Sequence, residues 1–169
     1  MSSRVFAPGL LDGRVAVLSG SGPAIERELA ELGARVVACD ASEDEHEVDS
    51  FVDDVLEQHR RIDVLVNCSP GEDPRLGMEG TWLMTHAVAT RAMIPDSRGG
   101  KVVTVTPEAP AVRAGLENLA RVLSIEWARF GVKLNAISAG GQEETAWLAA
   151  FLASPAGDYF SGAVLGARP

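Results

Sequence analysis

Side chains that could carry out catalysis or bind a metal are few and scattered in this chain of 169 residues. The three histidines are His46, His59 and His86, and none has a partner at the spacing of a metal-ligand motif. The two cysteines, Cys39 and Cys68, each end an apolar run, which is typical of reduced thiols packed near a core. These residues therefore favour neither a metal centre nor a disulfide.

The composition indicates one globular domain over residues 1–169, because 46% of the residues are hydrophobic and 23% are charged. A net charge of −9 with only two lysines, Lys101 and Lys133, argues against a nucleic-acid partner. No apolar run is long enough to span a membrane. The N-terminal segment shows neither a secretory core nor a basic amphipathic pattern, so we expect a cytoplasmic protein with no membrane partner.

Short apolar runs alternate with segments of helical period, which predicts an α/β protein with a mainly parallel sheet covered on both faces. The predicted strands are 14–19, 35–39, 63–67, 101–106, 132–137 and 163–165. The predicted helices are 23–33, 48–60, 78–94, 108–130 and 143–153. The acidic run Ser42–Asp49 is predicted to be a solvated loop that leads into the second helix.

Six collinear stretches give this chain a family resemblance. They are GRVAVLSGSG, GARVVACD, RIDVLVNCSPG, GGKVVTVT, RAGLENLARVLSIEWARFGVKLNAISAGG and FLASPAGDYFSGAVL. Together they resemble the short-chain dehydrogenase/reductase family over nearly the whole chain. The resemblance implies a Rossmann-like three-layer α/β/α fold with a sheet of about six strands. The chain is shorter than is usual for that family.

The resemblance also locates four positions that, in active members, hold a Tyr-x-x-x-Lys pair, a serine and an asparagine. Here they read Ala109, Arg113, Pro107 and Gly77, in that order. An alternative alignment does not supply the pair, since the one tyrosine, Tyr159, is followed four residues later by an alanine. Arginine keeps its proton at physiological pH and cannot relay one. We therefore predict no catalytic residue in this chain and a structural or solvent-facing Arg113.

The cofactor site implied by the family is also reduced. Gly20 and Gly22 form a weak Gly-x-Gly turn, Asp40 stands where an acidic residue would bind the ribose of NAD, and Asn67 keeps a position that holds strands together. Too few residues separate the first strand from the end of its helix, so either the loop or one helical turn is missing. In an intact loop Glu26 would face the phosphates, and in a shortened loop the cradle would be lost. We predict that these vestigial residues bind no cofactor.

Two further segments of the family are missing from the sequence. Between Asp40 and the next predicted strand there is room for one helix, whereas the family has a helix, a strand and a second helix that wall the adenine pocket. After the strand at 132–137, the last helix begins almost at once, where active members carry a long lid over the substrate. We therefore predict neither a complete adenine pocket nor a lid.

The long helices at 78–94 and 108–130, which pair with a partner in the family, are retained. The first is apolar around most of its circumference, and a helix of that kind needs to be buried on all sides. The second carries two apolar stripes. The residues predicted to contact a partner are Trp82, Leu83, Val88, Met93, Leu116, Leu123, Ile125 and Trp127.

These features favour a catalytically inactive subunit of a hetero-oligomer, expected to be a tetramer, with an active homologue that binds NAD(P). A β-hydroxyacyl thioester is the substrate that family habits suggest for that homologue. Two alternatives remain open. The chain could have residual chemistry of its own at Asp40, Asn67, Thr106 and Arg113, or it could form a homo-oligomeric binding or scaffold protein.

Overall fold

A computed structural model describes residues 6–71, 73–138 and 140–166. The N-terminal segment, which we predict to lack a targeting signal, is therefore described only from Phe6 onward. Six parallel strands form one sheet in the order β2-β1-β3-β4-β5-β6. The strands are β1 Val15–Ser19, β2 Arg35–Cys39, β3 Val64–Cys68, β4 Gly100–Thr106, β5 Val132–Ser138 and β6 Val164–Gly166. The predicted sheet is confirmed, with each strand within one residue of its expected bounds.

Five helices cover the two faces of the sheet. They are α1 Pro23–Glu31, α2 Glu45–His59, α3 Thr81–Val88, α4 Pro110–Glu126 and α5 Gln142–Ala153. π-Helical turns extend α3 at both ends, over Leu76–Gly80 and Ala89–Met93. Short 3-10 turns lie at Pro95–Ser97, Ala128–Phe130 and Pro155–Gly157. One core packs α1 and α5 against the sheet, and the other packs α2, α3 and α4 against its opposite face. This is the predicted Rossmann-like three-layer α/β/α arrangement.

The acidic segment Ser42–Asp49 differs from its prediction, because five of its eight residues are helical. The Asp44 carboxylate accepts hydrogen bonds from the amides of His46 and Glu47, at 2.8 and 3.2 Å, and so caps α2. The helix therefore begins at Glu45, three residues before the predicted start. A capping aspartate followed by acidic residues is a favourable start for a helix because both complement its unpaired amides.

In the described part of the chain, β2 is the edge strand at one end of the sheet. Only α2 lies between β2 and β3, so the predicted loss of a strand and a helix from this region is confirmed. As an edge strand β2 is half exposed, with Arg35 and Ala38 open to solvent, whereas all five residues of β1 are buried. This edge of the sheet is therefore open among the described residues.

Candidate functional site

A cleft of about 450 Å³ lies at the carboxyl ends of β1, β3 and β4, between the first turns of α1 and α5. The order of the strands reverses between β1 and β3, and open α/β sheets bind ligands at such a point. The residues that line the cleft are Gly20, Ser21, Gly22, Pro23, Ala24, Ile25, Asp40, Ala41, Cys68, Ser69, Pro70, Leu76, Val105, Thr106, Pro107, Gly140, Gln142 and Thr145. Three of the four vestigial cofactor residues are among them.

The turn between β1 and α1 has only three residues, which favours a shortened loop among the two alternatives for the phosphate loop. Gly20 has a φ of +83°, and a side chain there would collide with the carbonyl oxygen of Cys68. A Cβ at Gly22 would lie 2.7 Å from the Cys68 sulfur. Both glycines are thus needed so that the turn can pack directly on β3. Glu26 lies in the first turn of α1, exposed and outside the cleft lining.

This shortened turn is poorly suited to a diphosphate. A helix N-terminus binds phosphate through backbone amides, but α1 starts with Pro23, which has no amide hydrogen. Its first turn also carries the acidic Glu26, whose charge opposes an anion. No lysine or arginine is among the described residues that line the cleft. A pyrophosphate here would meet few donors and no side-chain cation.

The cysteines flank the cleft as protonated thiols. Burial raises the pKa of Cys39 to about 11 and that of Cys68 to about 12. Cys39 packs toward the α2 side of the sheet and Cys68 toward the α1 side, so the two lie on opposite faces. Both are free thiols, as predicted, although each is half-buried rather than fully enclosed. With such raised pKa values they are weak nucleophiles at neutral pH.

Asp40 and Asn67 have different positions relative to the cleft. Asp40 is exposed just after β2 and lines the cleft, where its carboxylate can accept hydrogen bonds from ligand hydroxyls. Asn67 is buried in β3, between Ser19 of β1 and Thr104 of β4. Its side-chain amide donates to the Thr85 hydroxyl at 2.9 Å and so ties the sheet to α3. Asn67 is thus a structural residue that lies outside the cleft lining.

The positions implied for proton transfer hold no group that could perform it. Pro107 is buried at the end of β4 and lines the cleft, and Ala109 precedes the first residue of α4. The Arg113 guanidinium donates to the carbonyl oxygens of Pro107 and Glu108, both at 3.1 Å. Arg113 therefore fastens the segment between β4 and α4, and it is not among the cleft residues. This agrees with its predicted structural role.

The position implied for the asparagine, Gly77, has no room for a side chain because neighbouring backbone lies against it. Gly77 is buried, and its carbonyl oxygen accepts a hydrogen bond from the Ser69 hydroxyl at 3.0 Å. A Cβ on Gly77 would lie 2.8 Å from the carbonyl oxygen of Pro70 and 3.1 Å from a methyl group of Val112. Any larger residue would require the backbone at Pro70 to move. This constraint comes from the fold and could not be read from the sequence.

The side of the cleft that a substrate lid would cover is formed by α5 itself. β5 ends at Ser138 and α5 begins at Gln142, which confirms that no lid separates them. Gln142 and Thr145 face the cleft directly, and neither was predicted to do so. Their signal in the sequence is their place in the first turn after a strand that ends at the ligand-binding edge.

Half of the residues predicted to contact a partner are buried in the core of this chain, so the prediction is wrong for them. Val88, Met93, Leu116 and Leu123 are each at most 4% exposed and belong to the core of this chain. Their side chains are covered by the sheet and by neighbouring helices, and offer no surface to a partner. The remaining four reach the surface to different degrees, and they are Trp82, Leu83, Ile125 and Trp127.

The described residues contain neither a metal-binding cluster nor a membrane-spanning helix. No group of three histidine, cysteine or acidic side chains within them is placed to hold a metal ion. None of the helices seen in this part of the chain has the length and apolar character to cross a membrane.

Comparison with known proteins identifies relatives among dehydrogenases. No family model matches the chain. It is 27% identical to a D-threitol dehydrogenase of Mycolicibacterium smegmatis, over 76% of this chain and 70% of that enzyme. It is 28% identical to a sorbitol dehydrogenase of Cereibacter sphaeroides, over 81% of this chain and 73% of that enzyme. An NAD-dependent glycerol dehydrogenase of Listeria innocua is 25% identical, over 74% and 69% of the two chains.

Solved structures share the whole fold. A citronellol catabolism dehydrogenase of Pseudomonas aeruginosa superposes with a TM-score of 0.89 at 23% identity, over 97% of each chain. A short chain dehydrogenase of Mycobacterium smegmatis gives a TM-score of 0.86 at 23% identity, over 98% of this chain and 95% of that one. The chain is thus similar in sequence to curated dehydrogenases and shares its fold with dehydrogenases of known structure.

Proposed function

We propose that this chain is an inactive member of an oxidoreductase assembly, in which it acts as the structural partner of a catalytically complete homologue. The observation that carries the proposal is the chemistry of the cleft. The four positions that would transfer a proton are Gly77, Pro107, Ala109 and Arg113, and the only one of them that ionises is bonded to backbone carbonyls. A positioned general acid or base is worth about a hundred- to ten-thousand-fold in rate, and the cleft has no such group at these positions.

The proposal assigns the cofactor to the partner. The dehydrogenase relatives suggest NAD(P) chemistry for the assembly, and one of them is named as NAD-dependent. In this chain the shortened turn, the proline at the start of α1 and the uncovered edge at β2 all weaken a dinucleotide site. Gly20, Gly22 and Asp40 would then be remnants with packing roles or none. We expect the assembly to form in the cytoplasm.

The surface of α3 and α4 supports a partner at the helices predicted to pair. Trp82 on α3 is 38% exposed, and Val122 and Ile125 on α4 are 43% and 78% exposed. The π-helical turn before α3 approaches α4, since a Cβ on Gly115 would lie within 3 Å of Met78. α4 thus lies beside the turn that precedes α3, on the same face of the sheet, and both helices carry apolar residues exposed to solvent. Contiguous exposed apolar patches are typical of surfaces that bind another protein, and Val122 and Ile125, three residues apart on α4, are neighbours on its surface.

The names of the curated relatives bear on what the active partner would oxidise. Threitol, sorbitol and glycerol are all polyhydric alcohols. We therefore favour a polyol or the corresponding ketone as the substrate of the partner, ahead of the β-hydroxyacyl thioester that family habits suggest.

A second candidate is activity of this chain alone, and one observation favours it. A cleft of about 450 Å³ persists at the ligand-binding edge, with Asp40 and Thr106 in its lining. Of the other two residues proposed for such chemistry, Asn67 is buried against Thr85, and Arg113 is bonded to the backbone. A homo-oligomeric scaffold is the third candidate, and it would use the same helix surface.

Cofactor binding separates the first candidate from the second. We expect the purified chain to bind neither NAD(H) nor NADP(H), because none of the described residues that line the cleft is a cation that could pair with the diphosphate. Isothermal titration calorimetry should give no dissociation constant tighter than about 100 μM, which corresponds to roughly 5.5 kcal/mol of binding. An Asp40→Ala variant is the control. Tight binding by the wild type that this variant loses would show a working ribose site and contradict the proposal.

Co-purification separates the first candidate from the third. We expect an intact homologue, co-expressed from a neighbouring gene, to elute with this chain as one species in size exclusion. Recovery of a stable homo-oligomer that does not bind the homologue would instead support the third candidate, a homo-oligomeric scaffold.

A further inference from the structure

A second cavity, of about 250 Å³, lies at the amino ends of the strands, on the edge of the sheet opposite the cleft. It is formed where β1, β3, β4 and β5 begin. Its lining includes four cationic side chains and two carboxylates, which are Arg14, Arg98, Lys101, Lys133, Asp63 and Asp158. Both lysines of the chain are therefore at this one site, although the chain as a whole carries a charge of −9.

The two carboxylates are already neutralised by neighbours. Arg61, which lies beside the cavity, donates to Asp63 at 2.5 and 2.8 Å, and Arg14 donates to it at 3.1 Å. Burial raises the pKa of Asp63, but these bonds and one from the Val15 amide outweigh it, so the pKa lies below its usual value. A hydrogen bond from Lys101, at 2.7 Å, likewise lowers the pKa of Asp158. Four cations against two carboxylates leave two positive charges in excess.

The cations also retain hydrogen-bond donors for a ligand. An arginine has five N–H donors and a lysine has three. Within the described residues, Arg14 uses one donor on Asp63, and Arg98 uses one, at 3.3 Å, on the carbonyl oxygen of Arg60. Lys133 donates to the backbone carbonyl of Asp158. Most of the donors on Arg14, Arg98 and Lys133 therefore remain for an anion.

We propose that this cavity is a binding site for a phosphate dianion, either inorganic phosphate or the phosphate group of a small ester. The excess of two positive charges matches the charge of the ligand, and arginine forms strong, directional hydrogen bonds to phosphate oxygens. The volume, about 250 Å³, falls below the roughly 300 Å³ at which pockets for drug-sized ligands begin, which favours a small anion. The site shares no residue with the cleft or with the exposed apolar residues of α3 and α4. Phosphate binding thus neither requires nor excludes a partner subunit.

Calorimetric titration with inorganic phosphate, at an ionic strength held constant with sodium chloride, tests the proposal. We expect saturable binding in the millimolar range or tighter. The double variant Arg14→Gln, Arg98→Gln should bind about tenfold more weakly or worse, because both charged donors are removed. Asp63 keeps its bonds from Arg61 and Val15 in this variant, so the fold should persist, and circular dichroism checks that it does. Glycerol 3-phosphate in a parallel titration distinguishes the sources, since tighter binding than phosphate indicates an ester.

The matched control removes the same charge elsewhere. Arg27→Gln with Arg75→Gln deletes two exposed arginines, which pair with Glu143 and Glu79 outside the cavity. We expect this variant to bind phosphate as the wild type does. An equal loss of affinity in the control would show a non-specific effect of net charge and overturn the proposal, as would the absence of saturable binding by the wild type.

Discussion

Substituting glutamate for Ile125 should detach the chain from the proposed partner and leave its fold intact, whereas the same substitution at Leu123 should strongly destabilise the fold of the chain itself. The two positions are two residues apart on α4 but differ in environment. Ile125 is 78% exposed, and Leu123 is 4% exposed in the core beneath α4. A charge buried without a partner costs several kcal/mol, which is a large fraction of the stability of a small domain. At Ile125 that cost arises only if a partner covers the side chain.

Urea denaturation of the isolated variants and size exclusion after co-expression with an intact homologue measure the two effects. Leu123→Glu should lower the free energy of unfolding by at least about 3 kcal/mol, and Ile125→Glu should lower it by less than about 0.5 kcal/mol. Ile125→Glu should nevertheless abolish co-elution. Ile125→Ser is a milder control for the loss of apolar area without charge. Unchanged co-elution of the Ile125→Glu variant would place the interface elsewhere.

Half of the predicted interface was wrong because a helix that is apolar around its whole circumference can be covered either by its own chain or by a partner. The helix predicted at 78–94 is apolar on all sides, and the sheet was expected to bury only one of them. A partner was therefore expected to cover the other side. In the structure α3 lies within a layer, with α2 packed beside it, so Val88 and Met93 are enclosed by the chain itself. Leu116 and Leu123 of α4 are likewise buried within the chain, at 1% and 4% exposed. Periodicity identified the buried stripe, but only the arrangement of neighbouring helices distinguishes core from interface.

The sheet was predictable because each strand is a short, almost purely apolar run bounded by glycine, charge or a helix signal. The start of α2 was less predictable, since the capping role of Asp44 was hidden within an acidic run. The site was predictable in residue type but not in contacts. Sequence alone could not show which part of the phosphate loop is shortened, or that Arg113 bonds to the carbonyls before α4. Those contacts depend on how the backbone of one segment meets that of another.

The second large effect is expected at the cleft, where restoring the proton-transfer residues should not restore activity. We expect the variant Pro107→Ser, Ala109→Tyr, Arg113→Lys to show no NAD(P)-dependent reduction of ketones or oxidation of polyols above a no-enzyme control. The proton-transfer groups would supply about a hundred- to ten-thousand-fold each only if cofactor and substrate were already positioned. If the proposed function is right, the shortened turn and the missing lid leave both unpositioned, and the restored groups then have nothing to act on.

Adding Gly77→Asn, the fourth of these positions, should strain the fold, because its Cβ would lie 2.8 Å from the Pro70 carbonyl oxygen. We expect this fourth substitution to lower the free energy of unfolding, whereas the triple variant stays folded by circular dichroism. The triple variant therefore keeps the test valid if the quadruple one fails to fold. As a matched control, the converse changes in an active homologue should abolish its turnover. Turnover by either variant of this chain would mean that the cleft still positions a dinucleotide, and the assignment of hydride transfer to a partner would then fail.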